Sequence, residues 1–259
     1  MKNFIFIFAF FYGLNFCNAQ PIKDSIIRLD SAGLINQCNN KNPVLKSLIV
    51  PTALITYGFV SLNTKSLRQL DKNTQREIAE DHPKFKTKID NYLQYSPAFA
   101  VFGLNAIGIK GKNNLRDRSM IYALSTIISA TAVLSIKRIK KIERPDKSAA
   151  NSFPSGHTTT AFAAAEFLRQ EYKDVSPWYG IAGYTAAAAT GTLRLYNNKH
   201  WLSDIVAGAG LGILSTKLSY WVYPVIKRRL FKNRNTNAVF VPYYQNGGGG
   251  IAFAYHFNH

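Results

Sequence analysis

A histidine and an aspartate four residues apart, His200 and Asp204, have the residue types and spacing of a catalytic pair. In a helix this spacing puts both side chains on one face. A carboxylate that accepts one imidazole N–H fixes the tautomer and leaves the other ring nitrogen as a nucleophile. Arg194 lies six residues before His200 and would bind an anion beside the pair. The alternatives are an ion pair on the surface and two ligands of a metal ion.

A second segment, Pro154-Ser155-Gly156-His157, has the composition of a helix start. Serine is a favourable N-cap, proline suits the beginning of a helix, and an alanine-rich run follows. The free N–H groups at such a start bind anions, and Gly156 has no side chain that would keep an anion away. His157 would then lie in the first turn, beside the anion. The alternative is an ordinary serine cap with an incidental histidine.

A third segment, Lys137 to Pro145, contributes two more cations. Lys137 and Arg144 are seven residues apart, about two helical turns, so a continuous helix would project both from one face. Pro145 disfavours helical conformation at Arg144, which predicts a turn there and leaves the guanidinium free to point into a site. The alternative is a basic helix end that interacts with its own dipole.

In this order the three segments resemble the signature of the type 2 phosphatidic acid phosphatase superfamily, which also includes bacterial class A acid phosphatases and vanadium haloperoxidases. The resemblance extends over about residues 90–224. One position departs from it. The family usually has serine or another small residue before the arginine of the last motif, and this chain has Leu193 there. The departure puts one hydrogen bond in doubt and does not affect the two histidines.

The resemblance implies a phosphatase that forms a phosphohistidine and needs no metal ion or other cofactor. His200 would attack phosphorus, and Asp204 would orient His200. His157 would protonate the leaving oxygen and then activate water. The other matching positions would bind the phosphoryl oxygens: Lys137, Arg144, Ser155, Gly156 and Arg194. General chemistry agrees, since phosphoryl transfer depends on positioning and charge neutralisation, which three cations and a helix N-terminus can supply.

Six apolar stretches would hold these segments together. They cover roughly residues 44–62, 93–109, 119–136, 155–168, 178–193 and 201–223. Their lengths approach the ~20 apolar residues of a membrane span, and their many small residues suit close helix packing. The predicted fold class is therefore all-α, a bundle of about six core helices embedded in a membrane, although the same composition suits a soluble helical core. The charged residues 63–91 are predicted to form an exposed helical segment that ends near Pro83.

The two ends of the chain differ from this core. Residues 1–19 combine a lysine, an apolar run and small residues at the end, which is typical of a cleaved signal peptide; an uncleaved anchor is the alternative. An exported lead-in (20–43), the phosphatase core (44–224) and a basic segment (225–235) follow. In residues 236–259, alternating apolar residues on both sides of a glycine-rich turn predict a C-terminal β-hairpin.

The net charge of +18 favours an anionic partner. Together with the motifs and the apolar stretches, it predicts a phosphatase that acts on a lipid phosphate or on an isoprenoid or lipid diphosphate, contacts membrane lipid and binds no nucleic acid. The alternatives are a soluble periplasmic acid phosphatase of broad specificity, a vanadium haloperoxidase and a non-catalytic envelope-binding protein. The predicted location is the inner membrane with a site that faces the periplasm, or the periplasm itself. The sequence does not fix the oligomeric state.

Overall fold

The computed structural model describes the backbone of residues 43–230, 238–245 and 248–255, with side-chain burial for residues 46–229. This part of the chain contains eight helices and one antiparallel pair of strands. In chain order the helices are α1 (Pro43–Ser61), α2 (Lys65–Asp81), α3 (Asp90–Leu93), α4 (Ser96–Ala106), α5 (Leu115–Ile139), α6 (Gly156–Tyr172), α7 (Pro177–Tyr196) and α8 (Leu202–Leu230). The predicted all-α core is confirmed.

Helix α6 is the centre of the bundle, and α4, α5, α7 and α8 all pack against it. Most of its residues are buried, and its alanines let the neighbouring helices approach closely. On α8 this approach requires glycine. A Cβ at Gly208 would lie 2.7 Å from the carbonyl oxygen of Ser155, and a Cβ at Gly212 would collide with the α6 backbone. The N-terminal parts of α6 and α8, which carry two of the motifs, are therefore held side by side.

Charged side chains are paired inside the bundle. Glu166 on α6 is fully buried, and its carboxylate lies 3.1 Å from Nζ of Lys217 on α8. Arg169 donates two hydrogen bonds to the same carboxylate, at 2.8 and 2.9 Å, and the hydroxyl of Tyr184 donates another. A buried carboxylate needs such partners because an unpaired charge in an apolar interior is very costly.

Two helices of the described chain are long and apolar enough to cross a membrane, Leu115–Ile139 and Leu202–Arg229. A third span is added if α1 and α2, which are bent by 93° at a short break, count as one. These features support a membrane protein, with two or three candidate spans among the described residues and not one in each of the six apolar stretches. Helix α4 has 11 residues and is about 16 Å long, roughly half of a ~30 Å hydrocarbon core. Helix α6 carries three charged residues: Glu166, Arg169 and Glu171.

Helix α2 is mostly exposed or half-buried, as predicted for the charged segment, with one exception that affects the site. Asp71 lies on its inner face and is 2% exposed. The two carboxylate oxygens of Asp71 accept from the N–H of Ser203 at 2.9 Å and from the Ser203 hydroxyl at 2.7 Å. Asp71 therefore fixes the beginning of α8, next to Asp204. The prediction of a solvated segment was wrong here because a carboxylate can be buried where it satisfies free N–H groups at a helix start.

The strands β1 (Ala238–Gln245) and β2 (Gly248–Tyr255) pair antiparallel, with Ala238 opposite Tyr255 and Gln245 opposite Gly248. The structure describes only the backbone of these strands, so the packing of the C-terminal hairpin stays a prediction. The predicted signal peptide and almost all of the lead-in also lie outside the described residues.

Candidate active site

His200 and Asp204 form a buried pair at the beginning of α8. Nδ1 of His200 lies 3.5 Å from Oδ2 of Asp204, and the two side chains are 2% and 0% exposed. The hydroxyl of Ser152 donates to the same carboxylate oxygen and is 3.5 Å from Nδ1 of His200. The N–H of Trp201 also donates to it, at 2.9 Å. Because Asp204 faces Nδ1, Nε2 is the nitrogen of His200 that can react with a ligand.

His200 lies in a loop and Asp204 in the first turn of α8, whereas the sequence predicted that both lie on one face of a helix. Helix α8 begins two residues after His200, so only Asp204 lies within it. Backbone hydrogen bonds fix the neighbouring loop: the N–H of Ser152 donates to the Ile142 carbonyl at 2.8 Å, and that of Ser155 to the Asp204 carbonyl at 3.0 Å. The spacing of four residues therefore predicted the contact correctly but not its cause.

The N-terminus of α6 lies next to the pair, where the second motif predicts a helix start. Ser155 is the N-cap, since its hydroxyl accepts from the N–H of Thr158 at 3.4 Å and from the Thr158 hydroxyl at 2.9 Å. Gly156 is the first helical residue. The nearest described atom to a Cβ added there, on Val133, would be 4.0 Å away. An anion can therefore approach the free N–H groups of this helix end.

Three cations come together around this helix end from three parts of the fold. Lys137 lies in the last turn of α5, Arg144 in the loop that follows, and Arg194 in the last turn of α7. They are close enough to act electrostatically on one another. Burial lowers the pKa of Arg144, and the charge of Arg194 adds to the effect. The site thus concentrates positive charge, and a bound anion would stabilise it.

The way in which Lys137 and Arg144 meet differs from the prediction. Helix α5 ends at Ile139, so the two side chains do not share a helical face. The chain turns at Pro145, as the proline predicts, and the N–H of Arg144 donates to the Ala149 carbonyl at 3.0 Å. The loop therefore brings Arg144 back to the site, and helical periodicity has no part in it.

Arg194 is held by an acidic residue from a distant part of the chain. Nη1 of Arg194 lies 2.7 Å from Oδ2 of Asp90, and the two side chains are 10% and 1% exposed. Nε of Arg194 is buried without a hydrogen-bond partner among the described residues, and the same holds for Nε of Arg144. Buried guanidinium N–H groups require acceptors, and the oxygens of a bound oxyanion would supply them.

His157 contacts the residue that follows Asp90 in the chain. Nε2 of His157 lies 2.8 Å from Oδ1 of Asn91, within hydrogen-bonding distance. Helix α3 carries both Asp90 and Asn91. It is fastened to the end of α7 by two hydrogen bonds between Thr87 and Asn197, at 2.9 and 3.0 Å. A helix of a single turn thus contacts the site at two points.

Burial and positive charge favour the neutral forms of both histidines. Burial lowers the pKa of His200, although Asp204 opposes the effect. Burial, reinforced by the charge of Arg194 and opposed by Asp90, lowers the pKa of His157 to about 4. A neutral His200 has the lone pair that a nucleophile needs.

Three residues of the site were not predicted from the sequence: Ser152, Asp90 and Asn91. Ser152 lies in an irregular loop, where no periodicity indicates which side chains point inward. Asp90 and Asn91 belong to the charged segment 63–91, whose composition does not separate a buried carboxylate from exposed ones. Charge balance was a usable signal. An arginine predicted to lie beside two other cations requires a carboxylate from elsewhere.

The arrangement can bind an oxyanion and transfer a group from it. Three cations and the N-terminus of α6 can hold the oxygens, an oriented histidine can attack, and a second histidine can exchange a proton. In the described part of the chain, no group of three or more metal-ligating side chains occurs.

Comparisons with known proteins bear on this site. Residues 118–228 match the family model of the PAP2 superfamily. The chain is 39% identical over 217 residues to a lipid A 1-phosphatase of Porphyromonas gingivalis. The aligned region covers 83% of this chain and 46% of the relative. It is also 35% identical over 74 residues to the bacitracin transport permease protein BcrC of Bacillus licheniformis. That aligned region covers 29% of this chain and 34% of the relative. The chain thus spans less than half the length of each relative.

Two solved structures give weaker matches. The crystal structure of Aquifex aeolicus LpxE is 19% identical with a TM-score of 0.43, and the match covers 56% of this chain and 93% of that one. A PAP2 type phosphatidylglycerolphosphate phosphatase from Bacillus subtilis is 18% identical with a TM-score of 0.45, and the match covers 69% of this chain and 98% of that one.

Proposed function

We propose that this chain, whose residues 118–228 match the family model of the PAP2 superfamily, is a phosphatase that removes phosphate from a lipid through a phosphohistidine and without a metal ion. One observation carries the proposal. The buried pair of His200 and Asp204 lies beside two arginines, Arg144 and Arg194, whose buried Nε groups have no acceptor among the described residues. A phosphoryl group bound there would satisfy both arginines within reach of His200.

In the proposed reaction, Nε2 of His200 attacks phosphorus while the bond from phosphorus to the lipid oxygen breaks. Asp204 accepts the Nδ1–H and stabilises the positive charge that develops on the ring. The three cations and the N-terminus of α6 hold the phosphoryl oxygens in the transition state. His157 donates a proton to the leaving oxygen and then takes one from the water that hydrolyses the phosphohistidine.

The low pKa of His157 is compatible with its role as an acid. A phosphoryl dianion in the site would offset the positive charge of Arg144 and Arg194. With that charge offset, the pKa of His157 rises, so the ring gains proton affinity when substrate binds. The affinity falls again when phosphate leaves, which favours return of the proton to solvent.

We propose a lipid phosphate as the substrate because the site lies at one end of both candidate spans. Lys137 is in the last turn of α5, and Asp204 is in the first turn of α8. A lipid whose tails lie in the bilayer presents its phosphate at the end of such helices. The relative named lipid A 1-phosphatase makes lipid A the first substrate to test. Phosphatidic acid and an isoprenoid diphosphate are the next candidates.

The test measures phosphate release from lipid A, phosphatidic acid and undecaprenyl diphosphate in detergent micelles that contain EDTA, with the wild type and with His200→Ala. We expect release by the wild type alone, and the fastest substrate indicates the class of lipid. If EDTA stops release and Mg²⁺ restores it, the metal-free mechanism is wrong. If the wild type releases phosphate from none of them, the proposed function is wrong.

The variant His157→Ala is expected to lose about 10²–10⁴-fold in kcat on a lipid phosphate, because the leaving alkoxide and the attacking water both lose their proton-transfer partner. Steady-state kinetics measures the loss. His82→Ala is the matched control, since His82 is exposed, and it should keep normal turnover. Full activity of His157→Ala at an unchanged unfolding temperature would exclude the proposed role.

We also propose that the site faces the periplasm from the inner membrane. The end of α8 that is remote from the site carries Lys227, Arg228 and Arg229. Basic residues flank the cytoplasmic ends of spans, which favours the cytoplasm for this end and the periplasm for the site. The site end is basic too, with Lys137 and Arg138 in the last turn of α5, so the periplasmic orientation depends on assigning Lys137 to phosphate binding. A protease-sensitive tag inserted in residues 63–91 should therefore be cleaved in intact spheroplasts. Protection of the tag until the membrane is broken would contradict this orientation.

A further inference from the structure

The contact between Asn91 and His157 joins helix α3 to the proposed proton donor. Oδ1 of Asn91 lies 2.8 Å from Nε2 of His157. A carbonyl oxygen can only accept, so Nε2 must carry the hydrogen in this contact. We propose that Asn91 is a positioning residue that holds His157 for proton transfer to the leaving group. This inference rests on the phosphatase reaction proposed above.

The contact determines which nitrogen of His157 exchanges protons. With Nε2–H donated to Asn91, the nitrogen that meets the substrate is Nδ1. In the imidazolium form, Nδ1–H passes its proton to the lipid oxygen while the electron pair of the breaking P–O bond stays on that oxygen. Neutral Nδ1 then accepts a proton from water, whose oxygen bonds to phosphorus as the P–N bond to His200 breaks. Because Nε2–H stays bonded to Asn91, the ring keeps one orientation in both steps.

The rigidity that such positioning requires comes from the neighbours of Asn91. The side chain of Asn91 is exposed, but Asp90 beside it is 1% exposed and paired with Arg194 at 2.7 Å. The two hydrogen bonds between Thr87 and Asn197 hold the backbone just before α3. Helix α3 is therefore fixed to α7 by two anchors that immediately precede Asn91, and Oδ1 of Asn91 has a defined place next to the ring.

The charges around His157 make the acceptor on Nε2 important. The groups that act on the ring are Arg194, Arg144, His200 and Asp90. The two arginines and His200 favour the neutral ring, and only Asp90 among them favours the imidazolium. A hydrogen-bond acceptor on Nε2 also favours the imidazolium, because a charged N–H is the stronger donor. Loss of the acceptor should therefore lower the pKa of His157, and a carboxylate in its place should raise it.

The test compares two leaving groups in the wild type, Asn91→Ala and Asn91→Asp. A lipid phosphate releases an alkoxide that needs a proton, whereas p-nitrophenyl phosphate releases a stable phenolate. In single-turnover measurements of leaving-group release, which exclude the later hydrolysis of the phosphohistidine, Asn91→Ala is expected to lose about 10–100-fold on the lipid phosphate and less than about 3-fold on the nitrophenyl ester. The alkaline limb of the pH–rate profile should move to lower pH in Asn91→Ala and to higher pH in Asn91→Asp.

Asn73→Ala is the matched control, because Asn73 is an exposed asparagine on α2. It should leave the turnover of both substrates unchanged. Equal losses on both substrates would mean that Asn91 only supports the local fold, and faster turnover would mean that it obstructs the site. Either result, or an unchanged pH profile, overturns the proposal. If the wild type is inert toward both substrates, the phosphatase function fails and this inference with it. Inertness of every variant distinguishes that outcome from a failure of Asn91 alone.

Discussion

Replacing His200 by alanine is expected to reduce turnover by about 10⁴–10⁶-fold, because no phosphohistidine can form. Water would then have to attack phosphorus directly, without the imidazole that the site orients through Asp204. The three cations and the N-terminus of α6 remain, so the variant should still bind vanadate or inorganic phosphate. Phosphate release measures the loss. Trapping with a ³²P-labelled substrate should give an acid-labile, alkali-stable label on the wild type and none on the variant.

His82→Ala again serves as the control, since it removes an exposed histidine from the same protein. Its turnover and its phosphoenzyme should match the wild type. Unfolding temperatures of the two variants check that His200→Ala is folded. Turnover of folded His200→Ala within a few-fold of the wild type would exclude His200 as the nucleophile. A label that persists in this variant would show that another residue is phosphorylated.

Removing the guanidinium of Arg194 is expected to reduce kcat/KM by about 10³–10⁵-fold, the range seen when an arginine that neutralises a phosphoryl transition state is lost. Its buried Nε has no acceptor among the described residues, and Nη1 is engaged with Asp90. Asp90 thus orients the guanidinium through Nη1, and the edge that carries Nε can bind phosphate. Arg194→Lys should recover little of the loss, because an ammonium group cannot reproduce both donors. Steady-state kinetics on the same lipid phosphate measures both variants.

Loss of Arg194 also leaves the buried carboxylate of Asp90 unpaired, which could unfold the protein at a cost of about 3–5 kcal/mol. The double variant Asp90→Asn/Arg194→Ala removes that charge and should restore stability without restoring turnover. Arg138→Ala is the matched control, since Arg138 is exposed in the last turn of α5 next to Lys137. If the double variant is stable and active, Arg194 acts through the fold and has no direct role at phosphorus.

Residue type and spacing predicted the local features of the site well. Ser155 is the N-cap of α6, His157 lies in its first turn, and Pro145 turns the chain after Arg144. These features depend on a few neighbouring residues, so the sequence contains the information directly. The match of residues 118–228 to the family model of the PAP2 superfamily agrees with the resemblance that the motifs suggested. The catalytic and phosphate-binding roles stay proposals.

Contacts between distant segments could not be predicted in the same way. Asp71, Asp90 and Asn91 reach the site across more than sixty residues of chain, through the packing of α2 and α3 against α7 and α8. Their own segment is rich in charge, and only the tertiary fold decides which carboxylate is buried. The six apolar stretches exceed the two or three candidate spans among the described residues for a related reason. Apolar composition does not separate a membrane span from a helix buried among other helices.

Lys217 lies near the middle of the candidate span Leu202–Arg229. If α8 entered the lipid alone during biogenesis, its ammonium group would be unpaired. Insertion scales put the free-energy cost of such a charge at about 2.5–3.5 kcal/mol. Glu166 lies 3.1 Å from Lys217 and can offset this cost only while α6 is packed against α8. The insertion machinery should therefore retain α6 and α7 until α8 has been translated. Helix α8 would then enter the bilayer with the ammonium group of Lys217 already next to the carboxylate of Glu166.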